Sequence, residues 1–245
     1  MKITSFNYEV STQGLSLNNV GALYQKMFIR KDYNWWYEVM PDDVVVDIGA
    51  NIGLFSCQAL DAGAEKVYMI EPSKKILKTA ITNVAEYLMD TQNSRVVPIN
   101  YAIGKMEDDL KGVFKPSKDI TQVDIAEEYK LMSFQELVFK YKLDHIDFLK
   151  IDAEGSEYNI LTEDSYEFIR NNVRHIAVEC HLSARVNSGK KFIHFRDNFL
   201  KKFIDEDKVR FQNTQYISAI FNDEEVLGAN PKLLPREFMI YITNY

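Results

Sequence analysis

Residues 44–53 read VVVDIGANIG, and few folds accommodate such a run. Val44, Val45 and Val46 are β-branched and too apolar for an exposed strand, so they predict a buried parallel strand. Gly49 and Gly53 then let the backbone turn tightly at its carboxyl end before a helix begins. Open α/β sheets bind their ligands at that end.

The spacing within the turn narrows the ligand. A dinucleotide fingerprint, G-x-G-x-x-G, brings bare backbone against a pyrophosphate. Counting from Gly49, its second and third glycines would stand where this chain has Asn51 and Leu54. The actual pattern, Asp47-x-Gly49-Ala50-Asn51-x-Gly53, offers a carboxylate and an amide, which suit the amino-acid end of a ligand better than its phosphates. VYMIEPS, residues 67–73, reads as a second strand ending at Glu71 and Pro72, about twenty residues beyond the turn. A carboxylate there can accept both ribose hydroxyls, although nicotinamide enzymes use the same device and a solvated strand end would look alike. Loop and carboxylate together point to an adenosine joined to an amino acid, which is S-adenosylmethionine.

Strand and helix signals then alternate. Residues 53–64 and 73–89 have apolar residues at helical spacing, the second with Ile76, Leu77, Ala80, Ile81, Val84 and Leu88 on one side. Residues 94–104 give a third strand, whose interior Pro98 predicts a bulge or a late start to pairing. The polar stretch 105–130 reads as an excursion on the ligand side, and residues 133–141 as a helix. His145–Asp152 is a buried fourth strand, followed by GSEYNILTEDSYEFI as a helix, and His175–His181 is a fifth strand. Lys190–Phe203 predicts a helix turning Phe192, Phe195, Phe199, Leu200 and Phe203 to the core. TQYISAIFN and REFMIYITNY fit a terminal antiparallel pair. The sum is an α/β, Rossmann-like fold with a seven-stranded, mostly parallel sheet and one reversed strand, the class I methyltransferase architecture.

A chain of 245 residues with 46% hydrophobic content and no linker-like run is read as an N-terminal extension, residues 1–40, on one domain, residues 41–245. Trp35, Trp36 and Tyr37 suggest that the extension packs aromatic rings over the cofactor pocket. No apolar run reaches the roughly 18 residues of a membrane span, and Cys57 and Cys180 have no framework spacing, so a cytoplasmic protein with buried thiols is expected. A net charge of -7 weighs against a large nucleic-acid footprint; Lys74, Lys75 and Lys78 read as a solvated helix face.

VVVDIGANIGLFS, IEPS and above all IDFLKIDAEGSEYNIL, residues 146–161, make the chain resemble the FkbM family of S-adenosylmethionine-dependent O-methyltransferases. The first two segments suit most class I methyltransferases; the DFLKID-x-EG-x-E run is far more specific. The resemblance implies methyl transfer to a hydroxyl of a small molecule or glycan. By motif, Gly49, Asn51 and Gly53 would hold the methionine end, with Asp47 and Ala50 in the same loop; Glu71 and Pro72 would serve the ribose, and Tyr101–Ala102 the adenine.

Methyl transfer to oxygen needs a placed hydroxyl, exclusion of water and a proton acceptor. Asp152 and Glu154 follow the fourth strand and Glu179 and His181 end the fifth, so one rim gathers them, with Asp152 closing the cofactor site. His181, Glu154 and Glu179 are the catalytic candidates; an ordinary imidazole suits a general base. His145 and His175 fall at the far end of the sheet and read as structural. Asp152, Glu154 and Glu179 could also present hard oxygen ligands to a divalent cation, but base or anchor roles account for them without one, and no metal ligand is assigned. A binding protein that keeps the cofactor pocket without turnover, and a dinucleotide-dependent oxidoreductase, are the alternatives. Acceptor identity and oligomeric state are not encoded in these motifs.

Overall fold

The computed structural model describes residues 2–5, 8–11, 17–88, 94–104, 129–182, 188–212, 217–228 and 237–244. The chain divides into two compact units: Met1–Ala102 with Met106–Met132, and Ile103–Lys105 with Ser133–Tyr245. In chain order the strands are β1 (Lys2–Ser5), β2 (Tyr8–Ser11), β3 (Val44–Ile48), β4 (Lys66–Ile70), β5 (Val96–Ile99), β6 (Ala102–Ile103), β7 (Leu131–Met132), β8 (Ile146–Ile151), β9 (Val173–His181), β10 (Val209–Phe211) and β11 (Glu237–Thr243). β10-β11-β9-β8-β3-β4-β5 is the order of a seven-stranded sheet, and β1-β2 and β6-β7 are two-stranded ribbons. β3/β4, β4/β5 and β8/β9 pair in parallel, whereas β11 runs antiparallel to both β9 and β10, so one strand is reversed, as the sequence predicts.

In the first unit, Val45, Val46, Asp47 and Ile48 of β3 are all buried, which explains the unbroken apolar run. The helix Leu54–Asp61 leaves the end of β3, and the helix Lys74–Asn83 leaves β4 with Ser73 Oγ accepting from Ile76 N–H as its cap. Lys74, Lys75 and Lys78 are exposed, a solvated face as read from the sequence. The expected helix over 73–89 instead pauses at Val84 and resumes as Ala85–Leu88. Pro98 causes no bulge: Val96–Ile99 pair in register with Val67–Ile70. Arg95 and Ile99 carbonyls accept from Val67 and Glu71 N–H, so odd-numbered residues of β5 face β4 and Pro98 turns its nitrogen to the other side, where β5 is the last strand of the order. Of the polar stretch 105–130, residues 105–128 lie outside the described residues.

Residues 17–34 form the helix Leu17–Tyr24, a wider π turn Gln25–Ile29 and a short 3₁₀ turn Asp32–Asn34. Tyr33 packs edge-on against Phe55 with ring centroids 5.7 Å apart, and Gln58 Nε2 donates to the Met27 carbonyl, so this segment rests on the helix Leu54–Asp61. The aromatic side chains buried in this segment are Phe28 and Tyr33; of Trp35, Trp36 and Tyr37, read as packing over the cofactor pocket, the two tryptophans are 44% and 47% exposed and Tyr37 is half-buried.

In the second unit, Ser133 caps the helix Phe134–Tyr141 through a reciprocal bond with Glu136. GSEYNILTEDSYEFI, read as one helix, is two: Glu157–Ile160 and Glu163–Asn172. Thr162 is extended at the break and its N–H bonds Ser165 Oγ, so a new N-terminus starts there. Phe192, Phe195, Phe199 and Phe203 line the buried side of the helical run Ser188–Phe195, Arg196–Leu200 and Lys201–Ile204, whose middle turn is π-helical. Of TQYISAIFN, Ile217–Ile220 is helical, residues 214–216 lie outside the described residues, and Val209–Phe211 takes the place beside β11. A short apolar run supports either state, and here Ala219 and Ile220 are the buried pair.

Candidate functional site

The loop after β3 is built by three consecutive bends. Gly49, Asn51 and Gly53 have φ of 76°, 53° and 80°. Gly49 and Ala50 N–H both donate to the Ile70 carbonyl, at 3.0 and 2.9 Å, which folds the loop over the end of β4. At Gly53 the left-handed backbone is only part of the constraint, because a Cβ would stand 3.2 Å from both Ala80 Cβ and Met69 Sδ. Asp47 is fully buried and its Oδ2 accepts from Ser56 Oγ at 2.7 Å, so it braces the loop from beneath.

Glu71 is held at both oxygens. Its Oε2 accepts from Asn51 N–H at 3.0 Å and its Oε1 from Ser73 N–H at 2.9 Å, tying the first loop to the start of the next helix. Two side-chain amides absent from the sequence reading complete the support. Asn100 Nδ2 donates to the carbonyls of Glu71 and Pro72, and Asn83 Nδ2 donates to that of Ile52. Their signal was an amide at a strand end and one on an otherwise apolar helix face. Tyr101 is half-buried, and Ala102, also buried, donates its N–H to Lys130 O. Asn51 Oδ1 is buried with no hydrogen-bond partner among the described residues. A buried orphan acceptor is costly, and the ammonium of an amino-acid ligand is the donor that would satisfy it. The residues present therefore fit S-adenosylmethionine: the Gly49–Gly53 loop for its amino-acid end and the fixed Glu71 carboxylate for its ribose.

In the second unit the structure gathers Asp152, Glu154 and His181. His181 is buried, with its Nε2 3.9 Å from Asp152 Oδ1 and 3.8 Å from Glu154 Oε2. Glu154 takes a φ of 52° and Gly155 one of 105°, a turn that brings Glu154 back beside the end of β9. Glu179 lies two residues before His181, on the same face of β9, and adds to the negative field around the imidazole. Cys180 points to the other face, where burial pushes its thiol pKa well up.

Glu157, which carried no role in the sequence reading although it closes the EG-x-E motif, organises this group. It is fully buried; its Oε1 accepts from His181 N–H at 2.7 Å and stands 3.1 Å from His181 Nδ1, while its Oε2 accepts from Gly155 N–H at 2.8 Å. Tyr158 Oη donates to the His181 carbonyl at 3.0 Å. Burial alone would lower the His181 pKa, but the charge and hydrogen bond of Glu157, with Asp152 and Glu179 behind them, raise it well above the ordinary imidazole value. An unperturbed imidazole base, as expected from sequence, is therefore not what this environment makes.

The other histidines stand apart from this group. His145 Nε2 is 3.5 Å from Asp147, and His194, on an exposed helix face, is 3.4 Å from Glu163. His175 lies inside β9 with Nδ1 3.1 Å from Thr243 Oγ1. Burial and then the charge of Arg174 lower its pKa to about 4. Because the folded value lies below the unfolded value of about 6.5, the unfolded chain binds a proton that the folded chain refuses between these limits, and stability falls as pH drops through that window. Chemical denaturation at about pH 7 and about pH 5 should show a smaller loss for His175→Gln than for the parent. Equal losses would remove His175 as the cause.

Comparison with known proteins follows this geometry. The profile of the Methyltransferase FkbM domain matches residues 47–206, from the loop aspartate through the second-unit cluster. The AMB antimetabolite synthetase AmbE of Pseudomonas aeruginosa is 40% identical over 76 residues, 30% of this chain and 4% of that protein. The crystal structure of methyltransferase FkbM from Methylobacillus flagellatus is similar with a TM-score of 0.50 at 17% identity, over 89% of this chain and 47% of the other. Aeropyrum pernix fibrillarin, solved with natively bound S-adenosylmethionine, gives a TM-score of 0.44 at 13% identity over 92% of this chain and 74% of that one. The chain thus spans a small part of the curated relative and about half of the FkbM structure it matches. A profile that covers more than half the chain, on the strand-loop-helix and EG-x-E segments described above, makes this protein a member of the FkbM family of S-adenosylmethionine-dependent methyltransferases.

Proposed function

We propose that the protein transfers the methyl group of S-adenosylmethionine to a hydroxyl of a small molecule or glycan. The observation that carries the hydroxyl is the Asp152–Glu154–His181 group: an alcohol must lose a proton as it is methylated, and carboxylates beside an imidazole are the groups that manage one. S-adenosylmethionine supplies an electrophilic methyl group on a sulfonium. On this reading Asn51 and the Gly49–Gly53 backbone hold the amino-acid end, Glu71 and Pro72 the ribose, and Tyr101 with Ala102 the adenine. The acceptor oxygen forms the new C–O bond as the C–S bond breaks, and its proton passes to Glu154, the partly exposed carboxylate of the group. His181, oriented by Glu157, anchors the acceptor through Nε2, Asp152 closes the site, and Glu179 adds to the negative field.

Calorimetry with S-adenosylhomocysteine and with NAD tests the cofactor. The homocysteine compound should bind and NAD should not, since Asn51 and Leu54 replace the glycines a pyrophosphate needs. Glu71→Ala should weaken binding by on the order of 10- to 100-fold, the cost of losing hydrogen bonds to a charged group. NAD binding alone would replace this reading by the oxidoreductase. His181→Ala should lower turnover while leaving S-adenosylhomocysteine affinity within a few-fold; binding without turnover of any hydroxyl acceptor by the parent would favour the regulatory alternative. Among the described residues no helix is long and apolar enough to cross a membrane.

A further inference from the structure

We propose that Asp152, Glu154 and His181 form a site for a divalent cation that accepts mixed nitrogen and oxygen ligands, Mn²⁺ or Zn²⁺. One ligand atom from each side chain lies within 4.8 Å of the others. The sequence pointed to Glu179 as the third group; the geometry puts the imidazole there instead. The decisive feature is the outer nitrogen of His181. Its side chain is 10% exposed, and among the described residues Nε2 has no hydrogen-bond partner: the carboxylate oxygens it faces stand at 3.8 and 3.9 Å, beyond the roughly 2.7–3.2 Å of a hydrogen bond. Ligand atoms about 2.0–2.2 Å from a shared ion lie roughly 3–3.6 Å from one another, so the side chains would have to draw together by up to about 1 Å to seat an ion between them, within reach of the exposed Glu154 side chain.

Glu157 supplies the matching outer contact. A histidine that binds metal through one nitrogen commonly gives the other to a carboxylate, which fixes the ring, and Glu157 Oε1 stands 3.1 Å from Nδ1. One imidazole with two carboxylates disfavours Ca²⁺ and Mg²⁺, which prefer oxygen alone, and suits Mn²⁺ or Zn²⁺. Binding stands independently of the reaction. Its use rests on the methyl-transfer reading: with the ion bound, His181 and Glu154 would serve as its ligands instead of meeting the acceptor and its proton directly, and the ion would ease loss of that proton to solvent.

The test is titration of the metal-stripped full chain with MnCl₂, following free Mn²⁺ by electron paramagnetic resonance, and with ZnCl₂ by calorimetry. At least one of the two should bind at one ion per chain. Glu154→Gln and His181→Gln should each remove that binding, and Glu157→Gln should weaken it by about 10- to 100-fold. Failure of both ions to bind overturns the site, as does equal binding by Glu154→Gln, whose side chain is 57% exposed and whose replacement leaves the core untouched. Melting curves establish which variants fold; if His181→Gln does not, Glu154→Gln decides. S-adenosylhomocysteine binding in the same samples separates the two readings: if it persists where neither ion binds, the cation site alone is overturned; if it is absent while an ion binds, methyl transfer alone is overturned.

Discussion

Replacing Glu157 with alanine should lower the folding free energy by about 3–5 kcal/mol, the usual result of removing one member of a buried, hydrogen-bonded charge pair. The side chain is wholly buried, and its carboxylate serves the N–H groups of His181 and Gly155 and the His181 ring. Alanine would strand these donors and leave a void beside an imidazole whose raised pKa depends on that charge. Glu157→Gln keeps the volume and one acceptor oxygen, so it should lose less. Urea denaturation of both variants measures the difference; a loss below about 1 kcal/mol for the alanine variant would show that Glu157 does not hold this turn.

Phe199→Ala should cost about 3–5 kcal/mol as well, for a different reason. Phe199 stacks on Phe195 with centroids 5.7 Å apart, meets Phe203 at 5.2 Å and takes the edge of Tyr166 at 5.8 Å. Buried neighbours relax only partly into such a gap, so the loss combines transfer free energy with a cavity. Phe139, 86% exposed, is the control, and its alanine variant should stay within about 0.5 kcal/mol of the parent. Similar losses at both positions would mean that the aromatic column is not the core of its unit.

The parts of the fold that could be read from sequence are those where one period dominates. Val44–Ile48, Ile146–Ile151 and the phenylalanines from Phe192 to Phe203 carry continuous or helical apolar patterns that tertiary context does not override. The misses have local causes. Ser165 bonding to Thr162 ends one helix and starts another, and the residues Ile217–Ile220 are too few for their period to distinguish helix from strand. In the site, residue type and position along a strand were enough to bring His181 and Glu154 together, because strand ends converge in a parallel sheet. Neither the burial of Glu157 nor the direction of its oxygens is a property of sequence spacing, so the protonation preference of His181 could not be anticipated. Asn83 and Asn100 were missed although their amides stand out by position, because the carbonyls they bond are backbone groups whose direction is not a property of sequence.

Pro98 has a further consequence for the chain in a crowded cell. An outermost strand offers its unpaired N–H and C=O groups as a template on which another chain can add, the first step toward fibrils. On β5, the last strand of the sheet among the described residues, the residues facing away from β4 are the even-numbered ones: Ser94 Oγ bonds the N–H and carbonyl of Val96, and at Pro98 the ring occupies the place of the donor an incoming strand would need. The substitution that would make this strand look more regular, Pro98→Val, would restore the missing donor and with it the liability to self-association.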